Sequence, residues 1–184
     1  MWGIKLGTWI AALAGLIIGA GGVIGLRQVN TMTSTDDFCS NCHSMAYVVA
    51  DATYQQSMHR AGPSGVRASC GDCHIPRDNL LRETYAHASQ SIKDIYREIR
   101  FNFSDPAVWA ERRPALTRAV LSRMRDEDSV TCRSCHDAAA IRPRTAQGRA
   151  AHAVASVPGM TCIDCHLNLV HQPAAPVSSG PGNR

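Results

Sequence analysis

Eight cysteines fall into four C-x-x-C pairs, Cys39/Cys42, Cys70/Cys73, Cys132/Cys135 and Cys162/Cys165, and a histidine follows each pair directly (His43, His74, His136, His166). C-x-x-C-H is the pattern of covalent c-type haem attachment. Two thiols add to the two vinyl groups on one porphyrin edge, and the next residue is close enough to offer an axial imidazole. Two such pairs also suit tetrahedral zinc, but zinc needs no histidine after every second cysteine. A disulfide framework built from i,i+3 pairs closes tiny loops and staples little. A thioredoxin-like redox motif needs one pair in a βαβ setting, and no strand pattern is visible here. Four complete motifs with no cysteine left over predict four covalently bound haem c groups.

The haems also answer a packing problem. Aromatic residues make up 5% of the 184, thin material for a core, so the macrocycles are expected to be the core. There are 19 basic and 15 acidic residues, a formal +4 without runs of one sign, which gives no reason to expect nucleic acid as a partner.

The motifs repeat. Cys70 follows Cys39 by 31 residues and Cys162 follows Cys132 by 30, while His59 follows His43 by 16 and His152 follows His136 by 16. The chain therefore reads as one dihaem module used twice, at 39–74 and 132–166. Histidines at matching offsets between haem motifs are expected to be distal iron ligands. Eight histidines for four irons suggest four bis-histidine haems, a count that leaves Met45 without a role. Which distal histidine serves which iron is open at this stage.

Residues 7–26, GTWIAALAGLIIGAGGVIGL, carry no charge. Twenty helical residues rise about 30 Å, the thickness of bilayer hydrocarbon. A cleaved secretory signal has a shorter apolar region and a small-residue cleavage site, so residues 1–30 are expected to be a single-pass transmembrane anchor. Charge bias between Lys5 and Arg27 is too slight to orient it. Haem attachment outside the bacterial cytoplasmic membrane places the haem domain, 31–172, on the periplasmic side of the inner membrane. Gly15-x-x-x-Gly19 and Gly21-x-x-x-Gly25 leave a homo-oligomer open.

Helices are expected over 79–125, joining the modules. Asp78 and Asn79 offer caps, and Leu81, Tyr85, Ala88, Ile92, Ile95 and Ile99 recur at helical spacing. That stripe is expected to pack inward while His87 and Asp94, seven apart on another face, point elsewhere. A second helix starts at Asp105-Pro106, and Pro114 should kink or split it. The tail 173–184 is rich in Pro, Gly and Ser and is expected to be flexible. The fold class is thus mainly α: a haem-packed multihaem cytochrome c with one transmembrane helix and a loop-rich periplasmic domain.

With the anchor, the four motifs and the stretches SMHRAGPSGVRASCGDCHIP (57–76), SRMRDEDSVTCRSCH (122–136) and TCIDCHLNLVHQP (161–173), the chain resembles the NapC/NirT/NrfH family of membrane-anchored tetrahaem quinol dehydrogenases. The resemblance runs from the anchor to His171. It implies oxidation of membrane quinol and delivery of electrons to a periplasmic reductase, of nitrite or nitrate type or similar. In the NrfH branch a C-x-x-C-H-x-M motif holds the first haem, with methionine as axial ligand. The resemblance therefore assigns Met45, or otherwise His43, to haem 1. It also implies that Asp94 lies over that haem and that His87 stands where the branch has a quinol-site lysine. His74, His136 and His166 carry over as proximal ligands, and His59, His152 and His171 as distal ones. With His152 available within the chain, the more self-contained NapC-like mode is favoured over borrowing a partner's lysine.

Oxidising quinol releases two protons as well as two electrons, which a histidine and a carboxylate can accept. Two other readings fit the sequence: a passive tethered electron carrier without a quinone site, and a quinone reductase working in reverse. No C-x-x-C-K motif or other open catalytic haem site is visible, which argues against direct catalysis on a small inorganic substrate.

Overall fold

The computed structural model describes residues 5–154 and 157–171, and the tail expected at 173–184 lies outside them. The described residues form helices and turns and no strand. α1 (Leu6–Met32) covers the uncharged stretch and is long and apolar enough to cross a membrane. Its apolar side chains face outward along the whole span.

Short helices then punctuate the haem motifs: α2 (Asp36–Cys39), α3 (His43–Ala50), α4 (Ala52–Gln55), α5 (Met58–Ala61) and α6 (Cys70–His74). Two long helices follow. α7 (Leu80–Arg100) is capped by Asn79, whose side chain accepts from the N–H groups of Leu81 and Arg82. α8 (Pro106–Asp126) is capped by Asp105 with proline at its first position. It runs through Pro114 as one helix, so the expected split does not occur; the proline ring is buried against its surroundings. α9 (Val130–Arg133), a 3₁₀ turn at Ala138–Ala140, α10 (Ala146–Val154) and α11 (Cys162–Cys165) complete the second half.

The buried apolar residues are Tyr54, Ile75, Ala86, Phe103 and Ile163. Each contributes roughly 1.5–3 kcal/mol at most, far too little to offset the ordering of a domain this size. A protein core of that size is consistent with a fold completed by apolar prosthetic groups.

The α7 stripe is a correction to the sequence reading. Leu81 is 76% exposed, Ile92 68% and Ile99 82%, whereas Glu83 and Ala86 on the other side are buried. The reason lies in what α7 meets. Its polar side joins α1 through ion pairing of Arg27 with Glu83 and a 2.9 Å hydrogen bond from Asn30 to Thr84 Oγ1. Arg77, just after the second motif, also approaches Glu83 at 4.0 Å. A carboxylate 2% exposed at its side chain needs such partners, and satisfying it turns the apolar stripe outward.

Candidate functional site

The four motifs are built alike in pairs. In the second motif of each module the residue before the first cysteine caps the helix reciprocally with an aspartate three positions on. Ser69 N–H and Oγ both donate to Asp72 at 2.8 Å, while Thr161 N–H donates to Asp164 at 2.7 Å and its Oγ1 at 3.0 Å. The first motif of each module holds the second by a residue three before its first cysteine. Asp36 Oδ1 accepts from Cys70 N–H at 2.7 Å, and Ser129 Oγ accepts from Ile163 N–H at 3.2 Å. Burial pushes the Asp36 carboxyl up, but hydrogen bonds from Cys70 and the Arg60 guanidinium outweigh it and hold the group below its usual range. These carboxylates were missed from the sequence, although S/T-x-x-D around each second motif was there to be read.

Consecutive motifs are neighbours. α2, which carries Cys39, packs against α6, α6 packs against α9, and Ser129 joins α9 to α11. The chain lays the motifs out in sequence order, beginning beside the anchor. The eight cysteines form no disulfide.

Cys39, Cys42, Cys70, Cys73, Cys132 and Cys162 are half-buried, but Cys135 is exposed, as is Cys165. The reason at Cys135 is local. α9 ends at Arg133, so Cys135 falls in the turn beyond it, among the exposed residues Ser134 and His136. Its Sγ accepts from the Ser134 hydroxyl at 3.9 Å, a contact with its own chain neighbour rather than with a core.

Six histidines stand in three facing pairs: His74 with His171 (ring centroids 6.3 Å), His136 with His59 (6.0 Å) and His166 with His152 (5.9 Å). Metal–imidazole bonds are about 2 Å long, and with about 1 Å from each nitrogen to its ring centre, two imidazoles on one iron lie about 6 Å apart. The donor set therefore fits axial ligation of iron by paired imidazoles. His152 directs Nδ1 to Gly148 O at 2.8 Å, which leaves Nε2 for a metal. Tyr54 stacks on His171 at 6.0 Å. Burial, with His171 and Arg123 nearby, lowers His74 to about 4, and burial likewise lowers His171. Both are neutral imidazoles at neutral pH, the form that binds metal.

The first motif has no such pair. His43 is exposed at the start of α3, and Met45 is half-buried one residue past Ser44. Glu98 of α7 accepts from Ser44 N–H at 3.1 Å and from its hydroxyl, fixing this segment, while its second oxygen is buried without a partner. Asp94 stands nearer solvent, 61% exposed at its side chain and paired with Arg97 at 2.8 Å. Burial above all, then the charges of Glu98 and Asp94, raises the Cys42 thiol, which puts both carboxylates beside the first motif.

His87 is one of nine residues around a cleft of about 260 Å³ between α1 and α7, whose lining also includes Leu26, Val29, Phe38 and Ser91. Its Nδ1 is buried without a hydrogen-bond partner. The structure thus brings Asp94 to the first motif and His87 to the anchor, on one face of α7 and a short way apart.

Residues 1–176 match the model of the NapC/NirT cytochrome c family, N-terminal region. A cytochrome c-type protein TorY of Haemophilus influenzae is 35% identical over 170 residues, 91% of this chain, which spans 45% of that relative's length. A probable tetraheme cytochrome c-type protein of Nitrosomonas europaea is 36% identical over 171 residues, 92% of this chain and 71% of the relative. The cytochrome c-type protein NapC of Escherichia coli is 31% identical over 176 residues, 92% of this chain and 83% of the relative. No solved structure matches.

Proposed function

The chain belongs to the NapC/NirT cytochrome c family, and we propose that it oxidises membrane quinol beside its first haem motif and passes the electrons to a periplasmic reductase of nitrite or nitrate type. The observation that carries this reading is the cleft where the anchor meets α7, largely apolar, lined by His87, and next to the first motif. Such a cleft suits an amphiphilic ring whose tail remains in lipid.

Haem c, four groups in this reading, supplies one-electron redox chemistry when bound. The chain's residues do the rest. The paired cysteines would hold each group, and His74 with His171, His136 with His59, and His166 with His152 would supply imidazole nitrogens to three of the irons. Met45, rather than the exposed His43, is assigned to the first group. Quinol must lose two protons with its two electrons. One passes from a quinol hydroxyl to Nδ1 of His87, which has no competing partner. The other passes to the Asp94 carboxylate, kept in place by Arg97. Ordering the motifs from the anchor outward gives entry at one end and delivery at the other, on the periplasmic side of the inner membrane.

The test is reduction of the haem-loaded chain by a membrane quinol in liposomes. The reading expects the rate to fall at least about tenfold, roughly 1.4 kcal/mol of barrier, in His87→Ala and in Asp94→Asn, with haem spectra unchanged. Equal rates in wild type and both variants favour the passive carrier instead.

A further inference from the structure

We propose that the outward stripe of α7 is a membrane contact, bedding into the outer surface of the same bilayer that α1 crosses. The stripe comprises Leu81, Tyr85, Ile92, Ile95, Tyr96 and Ile99, each more than half exposed although the helix is strongly amphipathic. A helix with one apolar face, a charged opposite face and little hydrophobicity overall is the type that lies at a lipid–water interface. A water-facing stripe of this kind would be an unusually large apolar patch for a soluble surface.

Three observations choose lipid as the occupant. First, the first haem motif lies off the stripe: Glu98 and Asp94, about 100° and 140° round α7 from the stripe's centre, are the carboxylates that act on Cys42, and Glu98 accepts from Ser44 N–H. Second, the stripe continues the membrane surface of the anchor. Glu83 and Thr84 pin the start of α7 to Arg27 and Asn30, where α1 leaves the span. The outward apolar surface of α1 goes on past this point through Val29 and Met32 to Phe38. Third, the charges match. At 100° per residue, Arg82, Lys93 and Arg100 form a row about 100° round from the stripe's centre, placed to meet anionic headgroups. Of the acidic side chains, Glu83 and Asp94 fall on the far side, about 140–160° round, and Glu98 about 100° round on the flank away from the basic row.

The contact would hold the α1–α7 cleft at the level of the lipid surface, where a membrane-dissolved substrate can enter without crossing water. It concerns lipid alone, so it stands or falls independently of the quinol reading.

The native cysteines are consumed as thioethers in the haem-loaded chain, so a single added cysteine takes a nitroxide label. Leu81→Cys, Tyr85→Cys, Ile92→Cys and Ile99→Cys are made one at a time, with Glu111→Cys on α8 as a water-exposed control. Each haem-loaded variant is placed in phosphatidylcholine–phosphatidylglycerol nanodiscs, its haem spectrum checked, and its relaxation by oxygen compared with that by a water-soluble nickel chelate. The proposal expects the oxygen-to-nickel ratio at stripe positions to exceed the control several-fold. Ratios equal to the control overturn it, as does dipolar broadening between labels, which would show a second copy covering the stripe.

Discussion

The two halves that each carry a pair of C-x-x-C-H motifs, 39–74 and 132–166, have nearly the same spelling and are used differently. Both latch their second motif with a residue three before the first cysteine, and both cap it with an S/T-x-x-D box. Both carry a histidine sixteen residues after the first haem histidine. Yet His152 faces His166 of its own module, while His59 faces His136 of the other, and His171 returns to His74 of the first. Repetition fixes local structure, since caps and latches need only near neighbours. The partner of a distal histidine depends on how modules are placed against each other, which no spacing encodes. The exchange also frees the first motif from histidine pairing, and that motif lies nearest the anchor.

The harshest way to break the comparison removes what both modules share. With every C-x-x-C replaced by S-x-x-S, neither module should fold, because the protein supplies so few buried apolar groups. Circular dichroism should show loss of most of the native helix outside α1; retained helix and a cooperative melt would contradict a core made of haem.

A narrower break separates the modules. Glu83→Ala removes the carboxylate shared by Arg27 and Arg77 near the first module only, at an expected cost of about 1–3 kcal/mol, since the arginines left behind are partly exposed. Thermal melts of the haem-loaded protein in detergent should drop accordingly, and an unchanged melting temperature would sink the anchor joint.

Distal exchange gives the sharpest comparison. His59→Ala should convert about a third of the low-spin haem to high spin through the iron held by His136, leaving the His74 iron intact. His152→Ala should do the same at the His166 iron. Assigned paramagnetic NMR of the ligand rings reads which iron changes; an effect of His59→Ala confined to its own module would refute crosswise pairing.

The smallest effects belong to the caps. Asp72→Asn and Asp164→Asn should each cost about 1 kcal/mol, equally in the two modules, read from melts.

Much of this was legible from residues alone. The motifs, the anchor, the caps at Asn79 and Asp105 and the helical joint between modules all rest on local chemistry, and the structure has them where the pattern put them. The facing of α7 was not legible, because a stripe at helical spacing says that one side is apolar and not what that side meets. Burying Glu83 between Arg27 and Arg77 decided it, an interaction spanning 56 positions in sequence. At Pro114 the sequence allowed a kink or a split, and α8 continues through it as one helix.

The central claim is that the first iron differs from the other three. Electron paramagnetic resonance of the full haem-loaded chain in nanodiscs tests it most directly. The account predicts one high-spin signal, removed or altered by Met45→Leu, alongside three low-spin signals of paired imidazoles; four low-spin signals unaffected by that substitution would contradict it.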